Sequence, residues 1–412
     1  MTKKNFLLVI YLLVSLFTEA QVTGQLQNNW RVLLKRKDSV EIVFQLERKI
    51  ENGKIVFYVV NAAERIKITD VKVLQDSIFF SMPAFESSFR VQVKPNGDLS
   101  GTYIKGTAGQ TQYWPMIAYA NSKDRFRQTR GNAKNNVTGK WDVSITRANG
   151  SIRKALAVFK QEGNRLTGSF LTPSADYRYF DGIVTGDSLL LSSFDGDNVH
   201  LLTAKINDND IISGGVFFNG YNGKETWTAK RNNIAALPEI EDPTRMRAGY
   251  SKLDFTFKDI YDNPVSINDE KYKNKVVIVQ LMGSWCANCL DETKFLADYY
   301  KRNRSKGVEI IALAYELTTD ISRSKTSLGK FIKLFDVQYP MLITGVAAGD
   351  EKKTEKTLPQ LTPIRSFPTT IFIDKTGHVS EIHTNFYGPA SGEYYIASKN
   401  KFYETVDRLL NQ

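Results

Sequence analysis

"KVVIVQLMGSWCANCLDETKFLADYYKRNR", residues 275–304, contains both cysteines of a 412-residue chain, two residues apart and directly after a tryptophan. Ahead of them, residues 275–282 form a continuous apolar run rich in β-branched side chains, the pattern of a strand buried on both faces. Behind them, residues 290–304 carry Leu296, Tyr299 and Tyr300 at one-face helical spacing. Cys286 therefore falls at a strand-to-helix junction. There the free amides and the helix dipole stabilise an anion, lowering a thiol pKa from ~8.5 toward ~7 or below. Cys289 lies one turn further in and is more shielded. This asymmetry makes Cys286 the attacking sulfur and Cys289 the resolving one.

Two other readings of the pair fail on physical grounds. A disulfide closing so short a loop gains almost nothing from chain entropy, so it is a poor structural clip. Zinc needs two further ligands at close spacing. The histidines are only His200, His378 and His383. The last two flank an expected strand whose alternation points them to opposite faces, so no metal and no bound cofactor beyond the cysteine pair is expected.

Length and composition set the frame. A chain this long exceeds one typical core, so two or three domains are expected. Hydrophobic residues at 42% and charged residues at 24% are ordinary for a globular protein. The net charge of +11 is not gathered into a groove-reading motif. Its densest cluster, Lys35-Arg36-Lys37, reads as a solvated strand end, so no nucleic-acid partner is expected.

The first twenty residues read as an export signal. Lys3 and Lys4 precede the 12-residue apolar run "FLLVIYLLVSLF" (6–17), and small residues end at Ala20. That run is short of the ~20 residues a membrane-spanning helix needs. Cleavage near Ala20 would release a soluble mature chain from Gln21, and an uncleaved anchor is the alternative. The expected compartment is the periplasm of a Gram-negative cell.

Downstream of the cysteines, strands are expected at 307–315, 339–344 and 368–374. A hairpin follows through "KTGHVSEIHTNFYG", and a last helix runs over about 392–410. Strand and helix alternate around a mixed central sheet, giving an α/β fold over 250–412.

With the WCANC motif after a buried strand, the Phe-Pro-Thr-Thr at 367–370 and the closing hairpin and helix, residues 248–412 resemble the thioredoxin superfamily. More closely they resemble its exported TlpA/ResA-like thiol-disulfide oxidoreductases. The resemblance implies that Cys286 and Cys289 are the redox pair, flanked by Trp285. It also implies that Pro368 is a cis-proline facing them, presenting the Phe367 backbone to a bound polypeptide. The buried acid that thioredoxins carry six residues before the first cysteine is here Gln280. In its stead the resemblance points to Glu316, at the end of the following strand, as the group taking the proton of Cys289. The chain also departs from its relatives. Lys294 stands in the region where many carry a proline, so the helix should be unkinked. Residues 345–366 form a long connection expected to hold a small helix beside the substrate groove. A peroxiredoxin would need threonine three residues before its cysteine, where this chain has Gly283.

Residues 21–231 read as all-β, with strands such as "VEIVFQLE", "GKIVFYVV" and "ALAVFKQEGNRLTGSF" separated by turn signals. They also repeat, over about 21–130 and 131–231. Trp30 and Asp76 match Trp141 and Asp187 at a spacing of 111, and Leu99 and Trp114 match Ile212 and Trp227 at 113. The repeats form either two β-units or the two halves of one barrel, and closure of sheet edges favours the second. The four tryptophans are expected in the core. Residues 232–249, with two prolines, are the linker.

The sequence thus describes an exported, multidomain protein. An all-β barrel or sandwich docks a substrate, ligand or partner, and an α/β thioredoxin-like domain exchanges electrons with protein disulfides. The resemblance implies reduction, a potential near roughly −270 mV and a membrane electron donor. Apocytochromes awaiting haem and misoxidised exported proteins are the candidate substrates. A β-barrel binding protein whose redox domain senses or locks its state is the rival reading, with a disulfide oxidase or isomerase as a further one.

Overall fold

A computed structural model describes residues 26–127, 131–208 and 210–412. The expected signal, including Lys3, Lys4 and Ala20, lies outside the described residues. Among those described, no helix is long and apolar enough to cross a membrane.

The β region is two units rather than one barrel, which corrects the expectation from edge closure. Each repeat folds into its own nine-stranded antiparallel sheet. The reason is that each repeat pairs its own first and last strands. Trp30 lies opposite Ala120 in the first unit and Trp141 opposite Arg231 in the second. The second sheet also closes on itself, because Ile152–Glu162 pairs with Arg165–Thr172 as well as with Gly139–Thr146. The first sheet ends on Glu64–Ile68 and Val71–Leu74, with no ladder between them. Its core is completed instead by Phe194, Val199 and Leu201 of the second unit. Trp30, Trp114, Trp141 and Trp227 are all buried at the centres of the two units.

Buried arginines weld the units together. Arg125 donates to the Ser192 carbonyl (3.0 Å) and to the side chain of Asn61 (3.0 Å). Arg36 does not form the solvated strand end expected of Lys35-Arg36-Lys37. It is buried, pairs with Asp38 at 3.0 Å and donates to the Gly223 carbonyl at 3.0 Å. A buried guanidinium needs acceptors of this kind, because an unpaired charge in the interior is costly.

The C-terminal domain is a seven-stranded mixed sheet. Its strands are β1 (Thr256–Asp259), β2 (Pro264–Ser266), β3 (Val276–Met282), β4 (Val308–Ala314), β5 (Met341–Ile343), β6 (Thr369–Ile373) and β7 (Val379–Thr384). The spatial order is β2-β1-β5-β4-β3-β6-β7. β3, β4 and β5 run parallel, β6 pairs antiparallel with β3, and β7 pairs antiparallel with β6. Every residue of β3 is buried, as a run that is apolar except for Gln280 requires of a central strand. The helices are α1 (Ala287–Asn303), α2 (Ile321–Phe335), α3 (Lys353–Thr357) and α4 (Glu393–Leu410). α1 buries Leu296, Tyr299 and Tyr300, the face its sequence spacing marks out. The small helix expected within 345–366 is α3. The hairpin of β1 and β2 had no clear signal in the sequence.

The linker is not a free tether. Arg245 N donates to Thr362 Oγ1 (2.9 Å) and Arg247 N to the Gln360 carbonyl (2.8 Å), so it lies along the C-terminal domain. The β-units dock on that domain at three places. At α2, Glu86 pairs with Arg323 (2.7 Å) and accepts from Ser327 Oγ (2.7 Å), while Lys330 donates to the Phe85 carbonyl (2.7 Å). The second place is the start of α1, and the third is the approach to α4, where the Tyr387 hydroxyl donates to the Thr172 carbonyl (2.9 Å) and Lys140 pairs with Glu393 (2.6 Å).

Candidate active site

The turn from β3 into α1 sets the geometry. Cys286 is the residue capping α1, and its sulfur accepts the amide hydrogen of Cys289 at 3.2 Å. That is the position where amide donors and the helix dipole favour a negative sulfur. α1 carries no acid of its own in its first turn. Here the pair is present as a disulfide. Cys286 keeps 7% of its surface exposed and Cys289 none, so only Cys286 is open to attack on a partner.

The turn is held from both sides. Trp285 Nε1 donates to the Tyr315 carbonyl at 2.9 Å, and its ring meets Phe367 edge-on at 6.0 Å. The Phe367-Pro368 peptide is cis, and the Phe367 carbonyl oxygen lies 3.5 Å from Cys286 Sγ. Gly283 is fixed by packing. A Cβ there would collide with the Trp285 ring nitrogen and sit 2.7 Å from the Tyr315 carbonyl oxygen. The threonine of a peroxiredoxin has no room at this position.

All six residues singled out from the sequence gather here. Glu316 is buried and accepts from Ser284 N (3.0 Å) and Ser284 Oγ (2.5 Å). Burial pushes its carboxyl up, against the pull of those two bonds. Both its oxygens are thus spent on the turn that precedes Cys286.

A second buried carboxyl, Glu292, went unnoticed in the sequence. It lies three residues after Cys289, and positions i and i+3 are neighbours on a helix face. Glu292 accepts from Gln280 Nε2 (2.8 Å) and Thr370 Oγ1 (2.6 Å), and those donors face each other across β3 and β6. Burial raises its pKa to about 7, with both hydrogen bonds opposing. The signal was present, since Gln280 at the usual acid position leaves a donor there in want of an acceptor. Glu292 also lines a cavity of about 370 Å³ with Thr370, Phe372, His383 and Phe402.

The β region reaches this site. Asp176 and Arg178 of the second unit contact Ala287, Asn288 and Asp291 of α1. No sequence signal could find this pairing, because more than a hundred residues separate the partners. Among the described residues, no group of three or more His, Cys, Asp or Glu side chains is arranged to hold a metal ion.

Residues 247–391 match the model of the Redoxin family. The chain is 29% identical over 135 residues to the thiol-disulfide oxidoreductase ResA of Bacillus thuringiensis subsp. konkukian (strain 97-27), spanning 33% of this chain and 68% of that protein. It is 26% identical over 136 residues to ResA of Bacillus subtilis (strain 168), spanning 33% of this chain and 66% of that one. Among solved structures, the thioredoxin family thiol:disulfide interchange protein of Chlorobium tepidum TLS aligns at 20% identity and a TM-score of 0.30, covering 40% of this chain and 97% of its own. The thiol-disulfide oxidoreductase of Bacteroides fragilis NCTC 9343 aligns at 16% identity and a TM-score of 0.28, covering 37% and 99%.

Proposed function

We propose that the Redoxin domain of residues 247–391, with its CxxC pair and its thiol-disulfide oxidoreductase homologues, makes this chain an exported reductase of protein disulfides. The observation that carries the reading is the unequal placement of two bonded sulfurs, one capping a helix at the surface and the other sealed one turn inside.

The reaction follows from that inequality. The Cys286 thiolate attacks one sulfur of a substrate disulfide, forming a mixed disulfide and releasing the other substrate sulfur as a thiolate, which takes a proton. Cys289 then gives up its proton, attacks the Cys286 sulfur and expels the second substrate thiolate. Two electrons pass to the substrate, and the enzyme is left as the disulfide. An external thiol donor must reduce the pair again, and a membrane protein is the donor proposed. Phe367, beside the cis-proline Pro368, offers its carbonyl to an extended substrate strand, and Trp285 walls the approach.

We assign the two carboxyls different tasks. Glu316 holds the turn before Cys286 through Ser284. Glu292 sits on the face of Cys289, has a pKa matched to neutral solution and adjoins a cavity through which a proton can leave, so it is the better placed acceptor. This refines the sequence reading, in which Glu316 alone had that part. The periplasm is the proposed compartment, with apocytochromes and misoxidised exported proteins as substrates.

Insulin reduction with dithiothreitol as donor tests the reading. Catalysed precipitation of the insulin B chain, lost in Cys286→Ser, is the expected result. No acceleration over dithiothreitol alone would favour a binding protein whose redox pair only locks its state.

A further inference from the structure

The second β-unit places a short turn against the residues between the two cysteines. Asp176 ends the strand Ala175–Asp176, and Arg178 follows in the connection to Phe180–Thr185. Asp176 Oδ1 accepts from Nδ2 of Asn288, the second of the two residues between the cysteines, and from Gly388 N at 2.8 Å. Its other oxygen accepts from Arg178 N at 3.0 Å. Arg178 in turn donates to the Ala287 carbonyl (3.2 Å) and to Asp291 Oδ2 (2.7 Å), and it also pairs with Glu64 of the first unit.

Three features mark this as a built contact. Asp176, Arg178 and Asn288 are all buried, where an unpaired polar group is costly. Arg178 adopts φ +56°, a left-handed conformation that few non-glycine residues take, to aim its side chain at α1. Gly388 admits the approach, since a Cβ there would run into Asp291. A module that merely tethered a redox domain, or docked a substrate at some distance, would not need to grip the dipeptide between the cysteines.

We propose that Asp176 is a positioning residue of the redox centre: it acts through Asn288 to hold the cysteine loop in its disulfide-bonded shape, and so lowers the pair's reduction potential. The inference rests on the redox reading of the pair. Two effects point the same way. The hydrogen bond to Asn288 fits the loop with the disulfide in place, and a shift of Asn288 on reduction would weaken it and so disfavour the dithiol. A carboxylate near the start of α1 also opposes a second negative charge on Cys286, which disfavours the reduced state. The β region is then part of the active site, and its docking sets how strongly the pair donates electrons.

The test is equilibration of the full chain with glutathione, measured for the parent, Asp176→Asn, Asn288→Ala and the double variant. Asp176→Asn is expected to move the equilibrium about tenfold toward the dithiol, a rise of about 30 mV. In the Asn288→Ala background the same change is expected to move it less than twofold. A parent-like equilibrium in D176N despite a lowered melting temperature would make Asp176 merely structural. An equal shift in both backgrounds would show that it does not act through Asn288. Either overturns the proposal. Should D176N fail to fold, Asn288→Ala alone must give the same tenfold shift, and no shift there overturns it as well. A parent pair that never cycles would instead overturn the redox reading itself.

Discussion

Substituting Cys289 by serine is expected to turn a catalyst into a trap. Cys286 keeps its place at the cap of α1 and its remaining exposure, so attack on a substrate disulfide proceeds. The resolving sulfur is gone, and the buried hydroxyl that replaces it is too weak an acid to act as nucleophile at neutral pH. Multiple turnover should fall by at least about 10³-fold, a loss typical of removing a residue that works as part of a unit. A mixed disulfide with the substrate should accumulate, visible on non-reducing gels and released by dithiothreitol. Cys286→Ser should show neither turnover nor adduct. Adduct formation through Cys289 in that variant would reverse the assignment of the two sulfurs.

Glu292→Gln carries the second large effect, and it is read in two ways. The resolving step should slow by about 10²-fold or more near pH 7, because the group that accepts the Cys289 proton has been made unable to ionise. The fold should respond with the opposite sign. The Glu292 carboxyl is held at about 7 in the native state against an ordinary value of 4.5, so the folded protein binds the proton more tightly than the unfolded chain. Stability is therefore lost as pH rises from about 4.5 to about 7, by about 3 kcal/mol when fully expressed. Glutamine removes that penalty, so the variant should lose less stability across the window. Asp291, which burial raises to about 7 against the opposing charge of Arg178, keeps part of the slope in both proteins. Denaturant unfolding between pH 4.5 and 8 measures the difference. Identical slopes, together with an unchanged resolving rate, would assign the proton to another group.

The cysteine turn was legible because its signals are local. A largely apolar strand, a tryptophan, two cysteines and an amphipathic helix follow one another in a single stretch, and Phe367-Pro368 opens another strand that is buried throughout. Glu292 was legible in principle. Its position one turn after Cys289, with Gln280 opposite, needed only the helix period to be followed one step further. The β region illustrates what local patterns leave out. Alternation gave its strands and the tryptophan spacing its repeat, yet the choice between one barrel and two units depends on which strands close the sheet. That is a long-range pairing, decided by Trp30 against Ala120 and Trp141 against Arg231. Arg36 misled for a related reason. A basic triplet is ordinarily solvated, and only the neighbouring unit, supplying the carbonyls of Gly220 and Gly223, makes burial of its middle residue affordable. Asp176 and Arg178 look like unremarkable turn residues until α1 is placed beside them.

The measurement closest to the centre of the account is titration of the reduced protein, following thiolate by its ultraviolet absorbance with Cys286→Ser and Cys289→Ser as references. One sulfur, Cys286, should ionise clearly below the ~8.5 of a free cysteine while Cys289 ionises well above it. Two thiols that both ionise above that value, or a lowered value belonging to Cys289, would contradict it.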